Sequence, residues 1–252
     1  MKILKIDIET APHKVYVWDM FKQNVAENQI VENGYTMCFA AQWVGEKKVH
    51  FYSIHEHGFN DMIEQAWLLL DEADAVIHYN GEKFDMPTLN REFLLEGYVP
   101  PSPYHNIDLY RTIKKRFKFP RNGMDYVCRR LGLSTKVNHK GMDLWKECMD
   151  GDTKAWKTME EYNKQDVRML GELYNVLLPW VQNHPNHALY IDTDKPVCPN
   201  CSSTHVVKNG IETTQTQQYQ RYRCSDCGVP LRGRFTIVPK EKKHNILTQS
   251  KL

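Results

Sequence analysis

Polar and apolar residues alternate along residues 2–9, which places Ile6 and Ile8 on one face of a β-strand and Asp7 and Glu9 on the other. Two further strands are predicted over 36–44 and 48–54, with Gly45-Glu46 turning between them. Ile63, Trp67 and Leu70 recur on one side of a helix over 60–72. A short apolar strand follows at 75–79 and a helix at 84–96. A helix over 125–131 is stopped at Gly132. Residues 152–181 carry one or two more helices, with 162–178 the clearest.

Strands first, then strands alternating with helices, predict an α/β domain over residues 1–183. Residues 184–196, opened by His184-Pro185-Asn186-His187 and closed by Asp192-Thr193-Asp194-Lys195-Pro196, read as a linker. Residues 197–239 form a second, cysteine-bearing unit, and 240–252 a polar, frayed tail.

Composition narrows the class. The 252 residues suffice for one sizeable core plus a small module. With 41% hydrophobic and 25% charged residues, wholesale disorder is not expected. No window approaches twenty apolar residues, so no membrane contact is expected. The first apolar run is broken by Lys5 and Asp7 and cannot serve as a signal-peptide core, which predicts a cytoplasmic protein. The net charge of +2 is unevenly spread. Residues 197–252 hold nine Lys/Arg against three acids, and residues 111–140 hold ten against Asp125 alone. An acidic body with a basic strip and a basic tail suits a metal-collecting site beside surfaces that attract phosphates.

The candidate chemistry lies in four acids. Asp7 and Glu9, two apart on a strand, share a face and offer hard oxygen ligands for Mg²⁺ or Mn²⁺. In His78-Tyr79-Asn80-Gly81-Glu82-Lys83-Phe84-Asp85 a strand runs into a turn, with Asp85 at a helix start; alone, it reads as a helix cap. Tyr162 and Asp166 stand four apart on a helix and share a face.

Together and in this order, these motifs resemble the DEDD exonuclease superfamily, over roughly residues 1–180. Asp-x-Glu is matched by Asp7 and Glu9; Asn, three residues, an aromatic and Asp by Asn80, Phe84 and Asp85; Tyr-x-x-x-Asp by Tyr162 and Asp166. Glu161 stands where the histidine branch would need His, so the tyrosine branch is implied. The similarity is strongest to the exonuclease domains of family B DNA polymerases and to stand-alone bacterial or phage relatives.

The resemblance implies a ribonuclease H-like mixed sheet flanked by helices and a 3′→5′ exonuclease using two Mg²⁺ or Mn²⁺ ions. Asp7 would bridge both ions, Glu9 and Asp166 would hold one, and Asp85 the other. Tyr162 would orient the attacking water or the scissile phosphate. Ile8 and Thr10 would flank the terminal nucleotide, and Asn80 would touch the strand.

Between the second and third motifs, Arg111, Lys114, Lys115, Arg116, Lys118, Arg121, Arg129 and Arg130 interleave with Tyr110, Phe117, Phe119 and Tyr126. Cations with aromatics suit a single strand, with Arg116 and Arg121 as candidate contacts. Asp108 and Asp143 read as caps or salt-bridge partners.

Cys198-Pro-Asn-Cys201 and Cys224-Ser-Asp-Cys227 have the spacing of two zinc knuckles, which together close a tetrahedral S₄ site. One structural Zn²⁺ is predicted to hold a module too small for much core. Lys208-Asn209-Gly210 and Gln220-Arg221-Tyr222-Arg223-Cys224 resemble the N-terminal ribbons of transposase-related proteins. That implies nucleic-acid contacts by Arg221, Arg223, Arg232 and Arg234, with protein docking as the other use of such a ribbon. The expected substrate is single-stranded DNA with a free 3′ end. An exoribonuclease of similar fold and a non-catalytic nucleic-acid-binding accessory protein stand as alternatives.

Overall fold

The computed structural model describes residues 1–250; Lys251 and Leu252, the end of the predicted tail, lie outside the described residues. Its elements run β1 (Ile3–Thr10), β2 (Lys14–Val15), β3 (Ile30–Glu32), β4 (Thr36–Trp43), β5 (His50–Ser53), α1 (Ile54–His57), α2 (Phe59–Glu72), β6 (Ala75–His78), α3 (Asp85–Leu95), β7 (His105–Asp108), α4 (Leu109–Arg116), α5 (Met124–Leu131), α6 (Met142–Met149) and α7 (Thr153–Leu177). They continue with β8 (Val206–Thr213), β9 (Gln218–Cys224), β10 (Pro230–Thr236) and α8 (Lys240–Lys243). Contacts divide the chain into two units, Lys2–Asn175 and the remainder from Val176 on with Met1.

The first unit is built on a five-stranded mixed sheet in the order β5-β4-β1-β6-β7. β1 runs parallel to β6 and antiparallel to β4, and β7 is parallel to β6. As the central strand, β1 is covered on both sides. On one face Leu4, Ile6, Ile8 and Phe39 pack against Met62, Ile63, Ala66 and Leu70 of α2 and Met86, Leu89 and Phe93 of α3. On the other, Met37 and Cys38 of β4 pack against Leu144 and Cys148 of α6 and Ala155, Trp156, Met159 and Tyr162 of α7. Each strand face is thus matched by a helix face, the arrangement expected when a period-two pattern meets a period of 3.6. In register, Asp7 lies opposite Ala40 and Glu9 opposite Cys38, so both acids sit on the α7 side of the sheet.

Residues 153–177 form one continuous helix. Met159, Tyr162, Asn163, Asp166, Val167, Leu170, Leu173, Tyr174 and Leu177 make its buried stripe. The strand β7, the helices α4 and α6, and the small β2–β3 hairpin were not legible in the pattern. β7 is only four residues long and reads His-Asn-Ile-Asp. The hairpin carries Tyr16, Trp18 and Phe21, all exposed. Gly132 ends α5 in the left-handed conformation, as the sequence predicted. No helix among the described residues is long and apolar enough to cross a membrane.

In the second unit, β8, β9 and β10 form an antiparallel sheet in the order β10-β9-β8. A small apolar cluster of buried Cys198, Cys224 and Val229 is packed by Val206 and Leu231. The predicted tail begins with the single turn of α8.

Candidate active site

Chain segments far apart in sequence meet at the carboxyl end of β1. Asp7 and Glu9 project from that strand toward α7, which presents Asp166 one turn beyond Tyr162. One ligand oxygen from each of Asp7, Glu9 and Asp166 lies within 4.8 Å of the other two. Asp85 stands outside this tight set. It is the first residue of α3, and its Oδ1 accepts the Ile8 N–H at 3.3 Å, so it reaches across to β1.

The electrostatics fit a cation. Burial, then Glu9, Asp85 and Asp166, push the Asp7 carboxyl well above its ordinary range. Burial and Asp166 push Glu9 up to about 8, and burial raises Asp85 to about 6. Carboxylates so placed repel one another unless protons or metal ions neutralise them. The buried Oδ1 of Asp166 has no hydrogen-bond partner among the described residues, as a free ligand atom would. The donor set is all oxygen, the kind that suits Mg²⁺ or Mn²⁺.

Several groups that the sequence did not single out hold this set in place. Asn163 donates from Nδ2 to Asp7 Oδ2 at 2.8 Å and to the Asp7 carbonyl at 3.2 Å. Lys136 donates to Asp166 Oδ2 at 2.6 Å and to Tyr162 Oη at 2.8 Å. The turn carrying Asn80 and Asp85 rests on two buried groups. The His78 Nδ1 accepts the Gly81 N–H at 3.1 Å, and Asp108 Oδ1 accepts the Asn80 N–H at 2.9 Å. Asn80 is left-handed (φ 65°), and a Cβ on Gly81 would stand 2.6 Å from the His78 ring, so the turn tolerates little else. Asn163 adjoins Tyr162 and could have been read as a second inward position. Nothing in the local sequence marks Lys136.

Tyr162 is buried, and burial together with Asp166 and Glu9 pushes its phenol well above its ordinary value, so it keeps its proton. Asp108 caps α4 by accepting the Tyr110 and Arg111 N–H groups, and Asp143 pairs with Lys146 at 3.2 Å, as the sequence predicted for both.

Asp7 and Asp166 open into a cleft of about 750 Å³ lined also by Tyr79, Asn80, Tyr110, Arg121, Tyr126, Arg129 and Lys136. A second cleft of about 520 Å³ shares Asn80 and Tyr110 and is lined by Lys83, Arg111, Lys114 and Lys115. Arg121 therefore sits beside the acids, whereas Arg116, exposed on the last turn of α4, lines neither cleft. Ile8 corrects an expectation: its side chain is buried in the core on the α2–α3 side, so it offers no surface to a nucleotide. Thr10, one alternation beyond, remains half-buried at the strand end.

In the second unit the four cysteine sulfurs lie within 4.8 Å of one another, with Cys198 and Cys227 at 3.6 Å and Cys201 and Cys224 at 3.6 Å. Asn200, inside the first knuckle, donates to the Leu178 carbonyl at 2.9 Å. Burial works against it, but the N–H groups of Cys227 and Asp226 and the facing thiols draw Cys224 down to about 7, toward the thiolate a metal needs. Arg221, Arg223 and Arg232 alternate onto one sheet face. All three are engaged within the ribbon: Arg221 to the Asn209 carbonyl at 2.8 Å, Arg223 to the Gly228 carbonyl at 3.1 Å, and Arg232 to Glu212 at 2.9 Å over the Tyr219 ring. Arg234 is exposed.

Comparison with known proteins bears on both units. No curated protein matches the chain. Residues 197–228 match the zinc ribbon described as the InsA N-terminal domain. Residues 26–178 match the family described as the RNase_H superfamily, a span that includes Asp85, Tyr162 and Asp166 and begins after Asp7 and Glu9. With more than half its length so matched, on a mixed sheet flanked by helices, the chain belongs to the RNase_H superfamily.

Proposed function

We propose that this protein is a metal-dependent 3′→5′ exonuclease of the tyrosine branch, acting on single-stranded DNA. The observation that carries the reading is the convergence of Asp7, Glu9 and Asp166 within 4.8 Å, with Asp7 and Asp166 lining a cleft shared with Arg121 and three tyrosines. Asp7, Glu9 and Asp166 would hold divalent ions, with Asp85 as the fourth carboxylate. When bound, the ions supply Lewis-acid stabilisation of charge on the reacting phosphate and on the departing 3′ oxygen. Tyr162, which keeps its proton, donates a hydrogen bond that orients the attacking water or the scissile phosphate. Tyr79, Tyr110 and Tyr126 stack bases while Arg121 and the cations of the second cleft follow phosphates. On this reading residues 1–183 are the nuclease domain and residues 197–239 a ribbon stabilised by structural Zn²⁺ that contacts the strand.

End-labelled single-stranded DNA, duplex DNA and RNA, each with Mg²⁺, Mn²⁺ or EDTA, test the proposal. A metal-dependent ladder growing from the 3′ end of DNA is expected, and Asp7→Ala or Asp166→Ala should reduce it to background. Preferred cleavage of RNA would convert the reading to an exoribonuclease. Binding of all three without cleavage of any would leave an accessory protein.

A further inference from the structure

Lys5 stands two residues before Asp7 on β1, so its side chain leaves the strand on the same face, nearer the amino end. It is only 9% exposed. Its Nζ donates to Gln42 Oε1 of β4 at 2.6 Å. The Gln42 amide is itself held by the Glu46 carbonyl at 2.8 Å, which keeps its oxygen turned to Lys5. No carboxylate pairs with Lys5 among the described residues. An ammonium has three donors, so Gln42 satisfies one and leaves two. A buried cation with no counter-charge is costly to the fold unless something else supplies one.

α7 passes directly over this ammonium. Gly171 lies at the crossing, and a Cβ there would stand 2.8 Å from Lys5 Nζ. Lys5, Gln42, Gly45, Arg168, Gly171 and Glu172 help to line a cavity of about 330 Å³ at this place. Arg168 is exposed and makes no ion pair among the described residues. Glu172 is the one acid in the lining, and both of its oxygens are engaged. They accept the Ser134 N–H at 2.9 Å and the Ser134 hydroxyl at 2.6 Å. Two cations therefore face the cavity with no carboxylate bonded to either.

We propose that this cavity is an anion site, separate from the carboxylate cluster, which takes a phosphate group between Lys5 and Arg168. A phosphate offers only acceptors, which suits the unspent donors of an ammonium and the fork of a guanidinium. The volume lies at the low end for ligand pockets and suits phosphate or a small phosphate monoester. Cleavage with a departing 3′ oxygen leaves the phosphate on the released nucleotide, so the nucleoside 5′-monophosphate product is the occupant the site would meet in use. That last step rests on the nuclease reading above. Lys5 and Gly171 share β1 and α7 with Asp7 and Asp166, so an occupant would be bound by the same two elements as the acids.

Titration of the full-length protein in EDTA, at constant ionic strength, tests the proposal by nitrogen-15 NMR. The probes are inorganic phosphate, a nucleoside 5′-monophosphate and the matching nucleoside. The Gly45 and Gly171 amide signals should shift saturably with both phosphates, with half-saturation at about 1 mM, and not with the nucleoside. Arg168→Gln should weaken this by about tenfold or more, the loss expected for a hydrogen bond to a charged group. Gly171→Ala keeps both cations but crowds Nζ, and should weaken binding by about threefold or more. Lys5→Met should abolish it; where that variant folds poorly, the other two carry the test. No saturation below about 10 mM, or affinities unchanged in both Arg168→Gln and Gly171→Ala, would overturn the anion site. Phosphate binding without monophosphate binding would overturn the product as its occupant. If the natural protein cleaves nothing, the nuclease reading fails, and the phosphate titration still decides the site.

Discussion

The two polar clusters of this molecule are assembled by opposite means. The four thiols come from 30 residues of chain, in two tight turns, and two of them, with Val229, make up the small buried cluster there. The carboxylates come from β1, α3 and α7, up to 159 residues apart in sequence, and are held by a sheet covered on both faces. In the first case the ligands create the fold; in the second the fold creates the ligand set. A metal ion is therefore expected to be a structural requirement of the ribbon and only a modest stabiliser of the nuclease-like unit.

Removing zinc tests this most severely. Structural zinc sites bind with about 10–16 kcal/mol, more than such a module's core can replace. Cys198→Ser with Cys227→Ser, or a strong chelator, should abolish the amide dispersion of residues 197–239 in heteronuclear NMR spectra while leaving signals of the first unit in place. A ribbon still folded without metal would break the contrast.

Next in size is the loss of Asn163, whose amide bonds both the carboxylate and the carbonyl of Asp7. Asn163→Ala should weaken Mn²⁺ affinity by about ten- to a hundredfold in calorimetry, the range for partners of a ligand, without unfolding the domain. An unchanged affinity would show that the sheet alone orients Asp7.

A smaller effect follows from the raised carboxyls. Unfolded, Glu9 releases its proton near its ordinary 4.5; folded, it holds it up to about 8, and Asp85 up to about 6. Between those values the folded state binds more protons, so metal-free stability should fall as pH rises from about 5 to 8. The midpoint of the first unit should drop by several degrees over that range, and saturating Mg²⁺ should recover most at pH 8. A midpoint that rises with pH would contradict the burial of these acids.

The smallest expected effect concerns the ribbon's arginines. Arg234→Gln should lower the salt slope of single-strand binding by about 0.7, the value for one phosphate contact. Arg221→Gln should lower it by less, because that guanidinium is already held by the Asn209 carbonyl. Equal slopes in all variants would favour a ribbon that docks protein.

Much of the site was legible in the sequence because its pieces are local. Asp7 and Glu9 share a face by strand period, Tyr162 and Asp166 by helix period, and the cysteines by knuckle spacing. Those periods also placed the central strands and the long helices. Partnership across the chain was not legible. That Lys136 serves Asp166, that Asn163 serves Asp7, and that Asp85 bonds Ile8 follow from packing α7 and α3 on the two faces of β1. Nor did alternation reveal that Ile8 would be closed off, since the core on its far side is supplied by residues 62–93.

The sequence alone therefore determined which local face each candidate side chain occupies, because strand and helix periods are set by backbone geometry within a few residues. Only the tertiary structure decided which of them meet, how far burial shifts their protons, and which cation stands among them. Those depend on contacts between residues from 30 (Lys136 and Asp166) to 156 (Asp7 and Asn163) positions apart, and no local pattern encodes them.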